Sequence, residues 1–553
     1  MRALLSFLLL IATLAVGTPA RAEPDSLVIG IAQFPASLHP SIESMMARAY
    51  VLGLARRPFT TYDAAWTLTC MLCVSLPTLE NGGAVMETTA DGKPGMAVTF
   101  RIQPQARWSD GAPITVADVA FTLEVGRHPL SGVMPKEFYR SVLRLESDGE
   151  RTFTLHFDRR TWDYNDIAGL ELLPAHIERE AFADPPGYPT RTRYVTDPTN
   201  PGLYNGPYRV AEVVPGSHIV LVRNEYWWGD PPAFARIVVR AIENTAALEA
   251  NLLSGTVQMI AGEVGLTLDQ AIALEQRHGD RFRVLYKPGL IYENVSLNLD
   301  NPVLADKRVR QALLYAIDRP AITQQLFAGR LPVADTAVSP LDPMAAPDVH
   351  HYAFDAGRAD ALLREAGWLR QSDGTRMDAS GRPLQLEIIS TAGDRTRELV
   401  EQVLQSQWQR VGITVRIRNQ PARVFFGETV SHRAFADMAM FAWIGAPQSV
   451  PRTTLHSDEI PTAANGWSGQ NISGWRNRDV DALIAAIETE LDETKRHALW
   501  GRLQAIYAEE LPALPLFFRA QAFVLPSWLD GVEPTGHQYP TTLWVEHWHR
   551  RAP

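Results

Sequence analysis

The chain has little of what most enzymes and membrane proteins advertise. It holds only two cysteines in 553 residues, Cys70 and Cys73. A multi-disulfide scaffold and a cysteine-built metal cluster are both excluded by that count. Outside the N-terminus no apolar run approaches the ~20 residues needed to span a bilayer. Positive charge is also scarce: the formal net charge is −10, which argues against nucleic acid or an anionic membrane surface as partner. The motifs of hydrolysis and nucleotide chemistry are missing too. There is no H-E-x-x-H, no phosphate loop, no G-x-G-x-x-G after a strand and no G-x-S-x-G elbow. No catalytic residue, metal ligand or cofactor is therefore assigned, and the chain reads as a binding protein before it reads as an enzyme. The pairs His547/His549 and His350/His351 read as surface histidines.

What is present starts with an address. Arg2 precedes an apolar run from Ala3 to Val16, and Ala20-Arg21-Ala22 supplies a small-x-small cleavage site, so residues 1–22 read as a signal peptide. No cysteine follows to carry a lipid, and the mature chain is expected to begin at Glu23, free in the periplasm. The roughly 530 residues that follow exceed one core, so two or more domains are expected. Apolar residues make up 46%, an ordinary globular share, but 14 tryptophans are more than a scaffold needs and suit the burial of a ligand. For Cys70 and Cys73 an oxidising compartment favours a mutual disulfide. A redox or metal-binding pair and two free thiols are the alternatives.

The periodicities define an α/β class. In "LQLEIIS" Leu384, Leu386 and Ile388 alternate as a strand. A helix on Val400, Val403, Leu404 and Val411 follows, Gly412 stops it, and Ile413, Val415 and Ile417 alternate as the next strand. That spacing predicts parallel pairing with a right-handed crossover. "TAALEANLLSGTVQMI" repeats the grammar with Gly255 as its stop. Val309, Ala312, Leu313, Ala316 and Ile317 share one helix face, and Asp318 with Pro320 starts a second helix that runs to Phe327. Near the end, Val480, Leu483, Ile484, Ile487 and Leu491 predict another helix, and "LPALPLFF" a late strand. The Pro/Gly-rich stretch 183–208 reads as a long surface connection or a subdomain seam. In "RWSDGAPITVADVAFTLE" (107–124), Ser109-Asp110-Gly111 predicts a turn and Thr115 a helix cap, with Val116, Val119, Ala120 and Leu123 inward.

Taken together, "AVTFRIQPQARWSDGAPITVADVAFTLE", "GPYRVAEVVPGSHIVLVRNEYWWGDPP", "NPVLADKRVRQALLYAIDRPAI" and "FDAGRADALLREAGW" resemble, in that order, the family 5 extracellular solute-binding proteins, the peptide- and nickel-type binders of ABC importers. The resemblance implies a two-lobed periplasmic binding protein fold with an extra subdomain on the first lobe. The expected division is residues 23–262 for the first part of lobe I, with the subdomain at about 46–190, then 263–485 for lobe II and 486–553 returning to lobe I. It further implies a monomer that closes over a peptide or other small-molecule ligand and delivers it to an ABC permease and ATPase. Trp108, Asp110 and Thr115 would hold shape and not touch ligand. The cleft would be formed by the loop from Phe34 to Leu38, by residues near Tyr292, and by "FAWIGAPQSVPRTTLHS". Phe34, Tyr292, Trp443 and Trp467 are the candidate aromatic lining, with Arg452 and Asn465 as polar anchors. Peptide-binding members carry an aspartate three residues after the cleft tryptophan, to pair with a peptide's ammonium. Here Trp443 is followed by Ile444, Gly445 and Ala446, which leaves Glu293 and Asp437 as substitutes. A non-peptide solute is thus an alternative cargo. A secreted enzyme, or a sensing or chaperone scaffold on the same fold, is the alternative function.

Overall fold

The computed structural model describes residues 25–42, 45–134 and 136–551; the signal segment 1–22 and the expected start at Glu23 lie outside them. Ten strands form one sheet in the order Thr414–Ile417, Gln385–Ile389, Met438–Ile444, Phe282–Leu297, Ala513–Pro526, Met259–Ile260, Ser26–Ile31, Arg236–Ala241, His218–Arg223, Tyr208–Val214. Two of these strands are long, Phe282–Leu297 and Ala513–Pro526, and they run antiparallel from Phe282 opposite Pro526 to Ser296 opposite Ala513. Every strand on one side of this pair belongs to one lobe and every strand on the other side to the second. The "LPALPLFF" strand is therefore longer than its apolar core suggests, because it serves both lobes.

The expected crossovers are present. Gln385–Ile389 pairs parallel with Thr414–Ile417 through the helix Arg395–Arg410, which Asp394 caps by accepting from the Arg397 N–H. Ser26–Ile31 pairs parallel with Met259–Ile260 after the helix Thr245–Leu253, and Gly255 takes φ +80° where the chain turns back. Val309, Ala312, Leu313, Ala316 and Ile317 are all fully buried, and the helix Arg319–Phe327 begins at Asp318 as its Pro320 requires.

The hydrophobic cores follow the strands. One spans residues 27–264 and returns at 523–548. A second spans residues 295–517. The helices Arg478–Thr489 and Glu493–Glu510 share a further core with Met344, Leu455 and Trp475. A boundary at residue 486 would cut the first of these helices, and the chain rejoins the first core only near Phe523.

On the first lobe a four-stranded antiparallel sheet is built from Ala84–Thr88, Pro94–Arg101, Thr152–Phe157 and Val142–Asp148. The helix Val116–Arg127 packs in the same lobe, with Thr115 and Asp118 forming a reciprocal capping box. The stretch 183–208 runs along the surface but is anchored inward. Tyr188, Tyr194, Tyr204 and Tyr208 are buried, and the Tyr188 hydroxyl, the Thr192 hydroxyl and the Arg193 N–H all donate to the buried Glu178 carboxylate at 2.6–2.8 Å. Its prolines and glycines bend the chain around a carboxylate, a role composition alone does not disclose. Cys70 and Cys73 are joined by a disulfide with their Cα atoms 5.3 Å apart.

Candidate functional site

The pairing of the two long strands is irregular in the middle. Between Pro288 and Ile291 the register shifts opposite Arg519 and Ala520. Pro288 has no N–H for a ladder. The Leu290 N–H leaves the ladder for the Gly536 carbonyl at 2.9 Å, and a side chain on Gly289 would collide with that same carbonyl. Immediately beyond the irregularity, Tyr292 and Phe518 face each other with ring centroids 5.2 Å apart. Trp443 stands opposite Tyr292 on the neighbouring strand.

These three rings wall a recess of about 150 Å³, completed by Ala337, Ser339 and Asp342 from one loop and by Gly445, Ala446, Ser449 and Thr453 from another. A smaller extension of about 30 Å³ continues past Tyr292 and Trp443 toward Gln470 and Tyr507. The Tyr292 hydroxyl is held by that of Tyr507 at 2.9 Å, and burial raises the pKa of both phenols. Neutral phenols, indoles and hydroxyls thus dominate the walls. The recess is lined by the second lobe and by the two long strands.

The lobes touch beside Trp162. The Trp162 N–H donates to the Glu488 carbonyl at 3.1 Å, and the Arg496 guanidinium lies 4.7 Å from the centroid of the Trp162 indole. Around this contact Asp163 and Asp166 are crowded. Burial and the charge of Asp163 push Asp166 up to about 6.

Of the residues singled out in the sequence, Tyr292 and Trp443 meet at the recess. Phe34 sits half-buried against the first core and is not part of its wall. Arg452 is committed elsewhere, to a two-pronged ion pair with Glu488 at 2.5 and 2.7 Å. Asn465 caps its own turn with Thr462 and donates to the Ile460 carbonyl, while Trp467 packs edge-on against His432 at 4.9 Å. Neither lines the recess. The substitutes for a missing carboxylate at Ala446 are also occupied. Glu293 accepts from Arg397 at 2.9 Å and from Arg519 at 2.6 Å, and Asp437 accepts from Asn301 and from the Glu387 N–H. Sequence reasoning missed Phe518, Ser339 and Asp342. The first hid in a strand whose alternation looked like core, and the others in a loop with no periodicity.

Comparison with known proteins agrees with this geometry. The family described as bacterial extracellular solute-binding proteins, family 5 Middle, matches residues 84–460, and the chain belongs to it. Among characterised relatives, the oligopeptide-binding protein AppA of Bacillus subtilis is 23% identical over 458 residues, covering 79% of this chain and 78% of that protein. The nickel-binding periplasmic protein of Escherichia coli is 24% identical over 313 residues, 57% of this chain and 59% of its own. Among solved structures, the oligopeptide-binding protein of Thermus thermophilus complexed with a pentapeptide superposes with a TM-score of 0.74 at 30% identity, covering 94% of this chain and 96% of that one. NikZ of Campylobacter jejuni in complex with Ni(L-His) gives 0.75 at 20% identity, over 95% and 99% of the two chains.

Proposed function

We propose that this chain is the solute-capturing component of an ABC importer, exported to the periplasm by cleavage after Ala22 and acting as a monomer without turnover of its ligand. Its cargo is a peptide or peptide-like amphiphile held in the recess between Tyr292, Trp443 and Phe518. That recess carries the reading: three aromatic rings converge where the two lobe-spanning strands lose their register. Lobe I is then residues 25–281 with 527–551, lobe II residues 298–512, and the hinge Pro288–Leu290 with Arg519–Ala520.

The mechanism needs no chemistry. A solute seated on the second lobe gains contacts with the first lobe only when that lobe closes over it, so it stabilises the closed state in proportion to that difference. The Trp162 contact with Glu488 and Arg496 adds a solute-independent part of the closed interface. The closed form would then dock on the permease.

A purified mature chain titrated with a tripeptide and tetrapeptide library should show thermal stabilisation by saturable members. The gain is about 2.7 kcal/mol at a hundredfold excess over Kd. Chemical turnover of a bound compound, or a library without a single stabilising member, would contradict the reading.

A further inference from the structure

The recess is uncharged except at one point. Among the described residues that line it and its extension, Asp342 is the only one with a charged side chain. It is 8% exposed. One carboxylate oxygen accepts from the Met344 N–H at 2.8 Å and the other from the Gln448 N–H at 2.9 Å. Those are neutral donors, one per oxygen, and a carboxylate can accept more. No side-chain cation among the described residues bonds it, although the imidazole of His497 lies close enough for its field to be felt. Two other carboxylates near the cleft contrast with this: Glu488 has Arg452, and Glu293 has two arginines.

A buried charge without a counter-ion is costly, and burial raises the pKa of Asp342 accordingly; a ligand of opposite sign offsets that cost. The backbone around it is bent to keep the carboxylate in place. Gln448, whose N–H holds one oxygen, sits at φ +56°, a conformation a non-glycine residue adopts only when its surroundings impose it.

We infer that Asp342 anchors a cationic group of the solute, so that the cargo is an amphiphile with an ammonium or guanidinium at one end and an apolar or aromatic body over Tyr292, Trp443 and Phe518. This rests on the capture reading above and narrows its cargo to cations. Gly445 and Ala446 border the same recess and offer no charge, so the anchor comes from the loop 337–342.

The test uses matched probes on the mature full-length chain: free-amino and N-acetylated forms of the same tripeptides, and arylalkylamines beside the corresponding alcohols. Affinities are read by calorimetry. The wild-type chain should bind the cationic member of a pair about tenfold or more tightly than its neutral partner. In Asp342→Asn that preference should fall below about twofold, whereas Asp342→Glu, which keeps the charge, should retain most of it. Circular dichroism and thermal melting confirm that the variants are folded. A merely structural Asp342 would weaken cationic and neutral probes alike, and that result would overturn the inference. So would a wild-type chain that binds probes without regard to charge, or a preference that survives Asp342→Asn; in both cases the capture reading stands. Binding of no probe of either kind would overturn the capture reading itself, and the inference with it.

Discussion

Two tryptophans define two kinds of surface in this molecule. Trp108 is fully buried, its indole N–H directed at the Asp118 carboxylate and its own N–H donated to the Ala112 carbonyl. Around it the polar groups are answered from within. Asp118 also accepts from Thr115 and Ala175, Asp110 accepts from Ala112 and pairs with His176, and Ser109 donates to Tyr204. Trp443 is only half-buried, packed edge-on against Phe441 at 5.1 Å with another face on the recess. Near it stand a carboxylate that no side-chain cation among the described residues bonds and a backbone residue at positive φ. The first surface is finished by folding, and the second is left for a ligand to finish.

The two tryptophans should therefore respond to truncation in opposite ways. Trp108→Ala should cost about 3–5 kcal/mol of stability in urea unfolding, with solute affinity in the folded fraction unchanged. Trp443→Ala should cost less stability but weaken the solute by about 2 kcal/mol or more, as a central aromatic anchor does. Equal stability losses with unchanged affinity would erase the distinction.

A smaller effect sits between these surfaces, at Asp166. Its carboxyl titrates at about 6 in the folded chain, above the ordinary value near 3.9 of an unfolded one. The folded state is then the better proton binder between the two values, so this group's contribution to stability is greatest below about pH 4 and is lost as pH rises through 6. Asp166→Asn keeps an oxygen for the Thr60 hydroxyl and the Ala168 N–H. It should be more stable than wild type by about 2 kcal/mol at pH 7.5 and no more stable at pH 3.5. A pH-independent difference would place the carboxylate in water.

The smallest effect is expected at the Cys70–Cys73 disulfide, which closes a loop of a few residues and removes little unfolded-chain entropy. Replacing both by serine should cost about 1 kcal/mol and leave binding unchanged.

The same contrast explains what the sequence disclosed. The turn at Ser109–Gly111, the cap at Thr115 and the parallel strands around Arg395–Arg410 rest on local rules, a glycine at positive φ or an apolar period, and these were legible. Trp443 and Tyr292 were legible as a pair only through the family resemblance, since a pattern of strand residues does not say which of them faces a cleft. Arg452 and Asn465 looked like anchors because a polar side chain in a loop declares no partner. Glu488 lies 36 residues beyond Arg452, and Asn465 closes a turn of its own. Asp342 was illegible for the same reason in reverse. Only the fold shows that no side-chain cation among the described residues bonds it and that its loop reaches a wall formed by residues from 290 to 518.

The central claim is that capture closes the two lobes about Pro288–Leu290, and small-angle X-ray scattering tests it most directly. With a solute that calorimetry shows to be saturating, the radius of gyration should fall and the scattering curve should move toward that of the closed form described here. A saturated protein whose scattering curve is identical to that of the solute-free chain would contradict it.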